Sequence, residues 1–293
     1  MHIGIVSPVV VLHPGAHSEW ERGGGISDLA RVAECADRLG FHHLTCSEHV
    51  AVPVEVAEAR GGTYWDPLAT FGYLAARTTR IRLATQVLVL GYHHPLEIAK
   101  RYGTLDVVSG GRLVLGLGVG TLKEEFDLLG AAFEDRGARA DDALAALRAA
   151  LSRSVPEYRG TYYEFQDLLV EPHAVQDRVP LWIGGRTMRS LRRATEHGDG
   201  WVPFGLSVDE LATMLGKVDV PDQFDVVLSA GAPLDPLGAR ERTVRALERR
   251  RDAGATITSA SIAATGSAHY CEQLEALREL GVGLGLEFDP ARS

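Results

Sequence analysis

The chain has 293 residues, 45% of them hydrophobic, enough for a sizeable buried core, and a formal net charge of -9. That balance argues against a nucleic-acid surface, which needs a basic footprint, and no basic block resembles a membrane-binding patch. Cys35, Cys46 and Cys271 are far apart and form no CxxC pair, so the expectation is a reduced, cytoplasmic protein without disulfides or a metal site. Met1-His2-Ile3 is expected to lead straight into a strand without a signal peptide, and no apolar run approaches the about 18 residues of a membrane span.

In chain order, His2–Val10 reads as a strand and Val11–Gly25 as a long loop. Ser27 is placed to cap a helix through Leu39, with Leu29, Val32, Ala33, Ala36 and Leu39 on one face. His42–His49 is a second strand, and a second long loop runs to Trp65. Asp66-Pro67, a cap and a first-turn proline, starts a helix over Leu68–Arg77. Ile81–Leu90 is a nearly unbroken apolar run, as in a parallel strand buried on both faces. Pro95 opens the next helix and Gly110-Gly111 ends it; Arg112–Gly120 is the fourth strand, closing in Gly116, Gly118 and Gly120. Thr121–Gly130 is a short extra helix, and Asp141–Leu151 returns the chain.

Over Glu157–Glu171, an Arg159-Gly160 turn among β-forming aromatics predicts an added hairpin. Strands then recur at Leu181–Ile183, Trp201–Phe204, Phe224–Ala230 and Thr256–Ala263, with helices over Met188–His197, Val208–Leu215, Arg240–Asp252 and His269–Leu280. Eight strands, each followed by a helix, imply an α/β fold, a closed (β/α)8 TIM barrel of one domain over residues 1–293 with the hairpin inserted at about 157–171. A doubly wound open sheet is the alternative.

In such a barrel the chemistry lies at the C-terminal ends of the strands. Ser47-Glu48-His49 puts a carboxylate beside an imidazole there, suited to positioning a substrate and moving a proton, though loop capping and packing explain the pair equally. Gln86 is an odd residue for a buried strand; a structural hydrogen bond is its commoner explanation. The glycine ladder with Val119 and Gly120 is not GxGxxG, because Thr121 stands where glycine is needed; a ligand lying against the backbone is favoured over a plain tight turn. Gly184-Gly185-Arg186 before a helix, with Arg189 following, reads as a phosphate seat, with a plain strand-to-helix turn as the alternative. The pairs His42-His43 and His93-His94 point to opposite faces of an extended segment and lack ligand spacing. Glu124-Glu125, on a helix, is most simply solvent-facing.

The run from Arg80 to Gly137, with GFHHLTCSEH before it and PLWIGGRTMRSLRRATEHGDGW after it, resembles the luciferase-like family of flavin- and deazaflavin-dependent oxidoreductases, most closely its F-420-dependent branch. The resemblance covers roughly residues 1 to 204. It implies a cofactor ring against the end of strand three, with a non-proline cis peptide at Gln86–Val87. Glu48 and His49 match the strand-two motif whose histidine is a base in the sugar-phosphate dehydrogenase members. Val89 stands where relatives have a ring-contacting threonine, Val119 and Gly120 match a close-approach turn, and Glu124 falls at a ring-contacting asparagine. Thr121 replaces the dehydrogenases' catalytic glutamate, which argues against glucose 6-phosphate as substrate. Gly184, Gly185 and Arg186 correspond to the cofactor-phosphate segment.

The expected activity is hydride transfer between coenzyme F-420 and a small organic molecule, with His49 moving the proton and Glu48 orienting it or the ring. The aromatics Trp20, Tyr64, Trp65 and Tyr162 suggest an apolar substrate. The alternatives are an FMN-dependent monooxygenase fed by a partner reductase, a cofactor-free sugar-phosphate enzyme, for which no lysine is found at a strand end, and a non-catalytic flavin carrier. Relatives are commonly homodimers.

Overall fold

Parallel strands joined by helices bury both faces of their sheet, and eight of them can remove the remaining edges by closing on themselves. This chain does so. The computed structural model describes residues 1–289. Its strands are β1 His2–Ile5, β2 His43–Cys46, β3 Arg82–Thr85, β4 Leu88–Val89, β5 Leu113–Gly118, β6 Tyr158–Arg159, β7 Glu164–Phe165, β8 Leu181–Gly184, β9 Gly200–Val202, β10 Asp225–Ser229 and β11 Ile257–Ala260. The large sheet runs β3-β2-β1-β11-β10-β9-β8-β5-β4, and β3 also pairs with β5, closing the ring. Since β3 and β4 are halves of one interrupted strand, the barrel has eight parallel staves. The pair β6–β7 is the expected hairpin, antiparallel and outside the barrel.

The helices are α1 Ile26–Leu39, α2 Val54–Arg60, α3 Pro67–Ala75, α4 Pro95–Ser109, α5 Lys123–Leu129, α6 Arg136–Ala150, α7 Met188–His197, α8 Val208–Leu215, α9 Arg240–Asp252 and α10 Ser267–Gly283. Between them and the strands lies the main core, including Leu29, Phe71, Leu144, Trp201 and Leu274. A smaller cluster, Ala84, Val114, Trp182, Val202, Val227 and Ile257, fills the barrel interior, with Val87 packed against it.

Several expectations change. Strand three is broken at Gln86–Val87, because that backbone turns out of the ladder. Ser27 is not the cap of α1: Gly25 precedes the helix, and Asp28 Oδ2 accepts from its N–H at 3.1 Å. Residues 50 to 65 are not all loop, since α2 lies within them. The cysteines, distant in sequence, are not all distant in space: Cys35 and Cys271 meet where α1 packs on α10, Cys35 Sγ lying 4.0 Å from Cys271 O, and both thiols are free.

His42 and His43 also do not diverge. Their Nδ1 atoms are 3.0 Å apart, and His43 Nε2 lies 3.0 Å from Ser259 Oγ. The His43 ring fills the space a side chain at Gly4 would need and meets Trp182 edge-on at 5.1 Å. Burial holds both imidazoles below the ordinary histidine range, His43 at about 3.

Candidate active site

The strand ends carry the polar residues. The Gln86–Val87 peptide bond is cis, as the resemblance implies. Around it, Gln86 N–H donates to Cys46 O at 2.8 Å, Ser47 Oγ donates to Gln86 O at 2.6 Å, and Glu48 N–H donates to Val87 O at 3.3 Å. Gln86 itself is half-buried, and its side-chain amide has no hydrogen bond among the described residues. The expected structural hydrogen bond is therefore absent, and the amide is left open at the mouth.

Val87 explains much of the glycine ladder. Side chains at Gly118 and Gly184 would come within 2.6 and 3.0 Å of its two methyl groups. One at Gly116 would strike the Thr85 carbonyl, and one at Gly120, whose φ is +76°, the Phe126 ring. These glycines make room for the chain's own atoms rather than, in the first instance, for a ligand. Val89 is buried beside them, while Val119 and Gly120 are half-buried.

Two acid–imidazole pairs flank this backbone. Glu48, nearly buried, accepts from Val89 N–H at 2.8 Å and from His93 Nε2 at 2.6 Å. Burial would lower the His93 pKa, but the hydrogen bond and charge of Glu48 outweigh it and hold the pKa above the ordinary value of 6.5. His49 Nδ1 lies 2.7 Å from Glu125 Oε2, which also accepts from Tyr92 Oη at 2.7 Å; Glu125 Oε1 accepts from the N–H groups of Val50 and Ala51 at 2.5 and 3.2 Å. Burial would raise the Glu125 pKa, yet these donors together keep it below the usual carboxylate value. An ionised carboxylate only accepts, so His49 Nδ1 carries the proton and donates. His49 Nε2 has no partner among the described residues and reaches solvent.

Glu48 and His49 lie at the strand end expected of them, but their partners were not foreseen. Glu125 is not solvent-facing: α5 turns it inward, 1% exposed, while Glu124 stays on the exposed face without a hydrogen bond among the described residues. His93 and His94 separate. The first pairs with Glu48, and the second caps α4, its Nδ1 accepting from Leu96 N–H at 3.2 Å.

Across the mouth, Gly184-Gly185 leads into α7, whose cap Thr187 accepts from Ser190 N–H at 3.3 Å. Arg186 is exposed there. Arginines gather alongside. Arg136 Nε donates to Gly120 O at 3.2 Å, with its guanidinium 3.8 Å over the Phe133 ring. Arg139 lies 4.4 Å over Tyr162, its buried Nε unpartnered. Arg189 and Arg193 press against Gly137, 3.0 and 3.4 Å from where a side chain would begin. Arg193 is neutralised by Asp141, whereas no acidic partner of Arg136, Arg139, Arg186 or Arg189 occurs among the described residues.

Of the four aromatics expected around the substrate, Tyr64 packs edge-on against His49 at 4.5 Å and Tyr162 lies beneath Arg139. Trp20 and Trp65, partly buried, pack one face on the main core. The hairpin is pinned to α6 by Asp142, which accepts from Tyr158 Oη and from Tyr162 N–H, both at 2.6 Å.

A closed parallel barrel with paired acids and imidazoles at the C-terminal mouth defines a (β/α)8 protein built for chemistry at that end. The chain belongs to the luciferase-like monooxygenase family, whose model matches residues 1–220. It is 28% identical over 199 residues to an uncharacterised protein of Mycobacterium tuberculosis, covering 64% of this chain and 68% of that one. It is 32% identical over 191 residues to 4-hydroxyprotoasukamycin monooxygenase of Streptomyces nodosus subsp. asukaensis, covering 62% of this chain and 49% of that one. Among solved structures it resembles monooxygenase RslO1 from Streptomyces bottropensis, with TM-score 0.74, 24% identity and coverage of 97% and 100%. It also resembles the F420-dependent tetrahydromethanopterin reductase of Methanopyrus kandleri, with TM-score 0.72, 17% identity and coverage of 96% and 99%. No helix among the described residues is long and apolar enough to cross a membrane.

Proposed function

We propose that this oxidoreductase transfers hydride between coenzyme F-420 and a small organic substrate. The observation that carries the choice of cofactor is the group of arginines without acidic partners, Arg136, Arg139, Arg186 and Arg189, beside the start of α7. FMN ends at its phosphate, whereas the deazaflavin coenzyme carries further carboxylates beyond it. Several guanidinium groups suit the longer anion better than a single phosphate. The buried, unpartnered Arg139 Nε and the open Gln86 amide are polar atoms that such a guest would satisfy.

When bound, the deazaflavin supplies the hydride chemistry, and the protein supplies position and proton movement. Gly184, Gly185 and Arg186, with the arginines, would hold the anionic end; Gln86, Val87, Val89, Val119, Gly120 and Glu124 would border the ring. His49 Nε2 is free to give or accept the substrate proton, with Nδ1–H fixed on Glu125. Glu48, engaged by Val89 N–H and His93, holds the backbone that carries the ring's floor.

Fluorescence titration of the protein with F-420 and with FMN tests the reading. F-420 binds at least about tenfold more tightly, and charge removal at Arg136 and Arg139 erodes that preference. Tighter binding of FMN overturns it. The second reading is then an FMN-dependent monooxygenase served by a separate reductase, which the likeness to 4-hydroxyprotoasukamycin monooxygenase favours.

A further inference from the structure

The mouth around His49 carries an arginine that no carboxylate hydrogen-bonds among the described residues. Its two buried carboxylates are committed: Glu48 to His93 and Val89 N–H, Glu125 to His49, Tyr92 and two backbone N–H groups. Arg60, the last residue of α2, stands over the same place. Its carbonyl accepts from Tyr64 Oη at 2.8 Å, Tyr64 packs on His49, and its Nη1 donates to Thr121 Oγ1 at 3.3 Å. The Arg60 charge reaches the hydroxyls of both Tyr64 and Tyr92. Yet the solvent-facing guanidinium has no carboxylate partner among the described residues, and Thr121, itself exposed, offers it only a neutral hydroxyl.

We infer that the substrate carries a carboxylate, seated on the Arg60 guanidinium and the Thr121 hydroxyl, which presents its reacting carbon to His49 Nε2. A guanidinium fork matches a carboxylate in two parallel hydrogen bonds. One cation with one hydroxyl suits a monoanion; a phosphate dianion generally recruits more positive charge. Arg60 is a positioning residue in this account, and the inference rests on the reading of this mouth as the active site.

The test uses benzoate and its uncharged isostere benzamide as probes, titrated into the protein by ligand-observed NMR, with and without saturating F-420. Wild-type protein binds benzoate at least about tenfold more tightly than benzamide. Arg60→Met abolishes the preference, Arg60→Lys restores part of it, and Thr121→Glu removes it while leaving the melting temperature unchanged. Lys217→Met, on the exposed surface just past α8, leaves it intact. Equal binding of the two probes, no binding of benzoate at millimolar concentration, or a preference that survives Arg60→Met overturns the inference. If F-420 binds and benzoate shows no preference, the carboxylate seat fails and the cofactor reading stands. If benzoate shows the preference and F-420 does not bind, the reverse holds.

Discussion

Glu125 Oε2 and His49 Nδ1 meet at 2.7 Å across 76 residues of sequence, joining the end of the second barrel strand to the helix after the fourth. The contact selects the tautomer of His49 and aims its other nitrogen outward. Glu125→Gln keeps an acceptor but loses the charge that stabilises the protonated ring. Turnover with F-420 and a substrate falls about a hundredfold, with KM and cofactor affinity little changed. Glu125→Ala additionally strands the donors of Tyr92, Val50 and Ala51, so its unfolding free energy falls by about 3 kcal/mol, several times the loss in the glutamine variant. Equal stability losses in the two variants would refute this division.

Val87 fills the upper barrel because Gly118 and Gly184 have no side chains. Gly118→Ala places a methyl 2.6 Å from Val87 Cγ2 and lowers stability by about 1–3 kcal/mol. Val87→Ala in the same chain recovers most of that loss. Denaturant melts of the two single variants and the double variant measure the coupling, and additive losses would show that the two sites do not touch.

The Glu48–His93 pair sets a pH dependence. The folded-state pKa of His93 is raised above 6.5, so the stability it contributes is fully present below 6.5 and is lost as pH rises through the folded value. Melting temperature therefore declines from neutral to mildly alkaline pH by an amount that disappears in His93→Gln.

His43 acts in the opposite direction. Its folded pKa is depressed to about 3, so between that value and 6.5 the unfolded chain takes a proton that the barrel refuses. Stability falls as pH drops below 6.5 by about 1.4 kcal/mol per pH unit for one such group. His42, also depressed, adds to the slope. His43→Gln makes urea-denaturation free energies measured across this range less steep by about one proton.

Most of the architecture was legible in the residue order. The alternation of apolar runs with capped helices predicts the eight staves, and the helices Met188–His197, Val208–Leu215 and Arg240–Asp252 have the predicted bounds. Strand ends were overread: His42–His49 extends only over His43–Cys46, because Ser47, Glu48 and His49 leave the ladder at the rim. Glu48 and His49 stood out as candidates because charge at the end of an apolar run has to be explained.

Their partners were not visible. Glu124 and Glu125 are the same residue type side by side, and only the rotation of α5 decides which is buried. His93 and His94 differ only in which side of one turn they occupy. Sequence by itself determined the barrel, its family and the end at which chemistry is placed, because periodicity and turn residues act locally along the chain. Tertiary closure alone decided which acid meets which imidazole, why the glycines lie where they do, and that Arg60 stands without a carboxylate partner among the described residues, because those relations join side chains from different strands and arise only when the ring is complete.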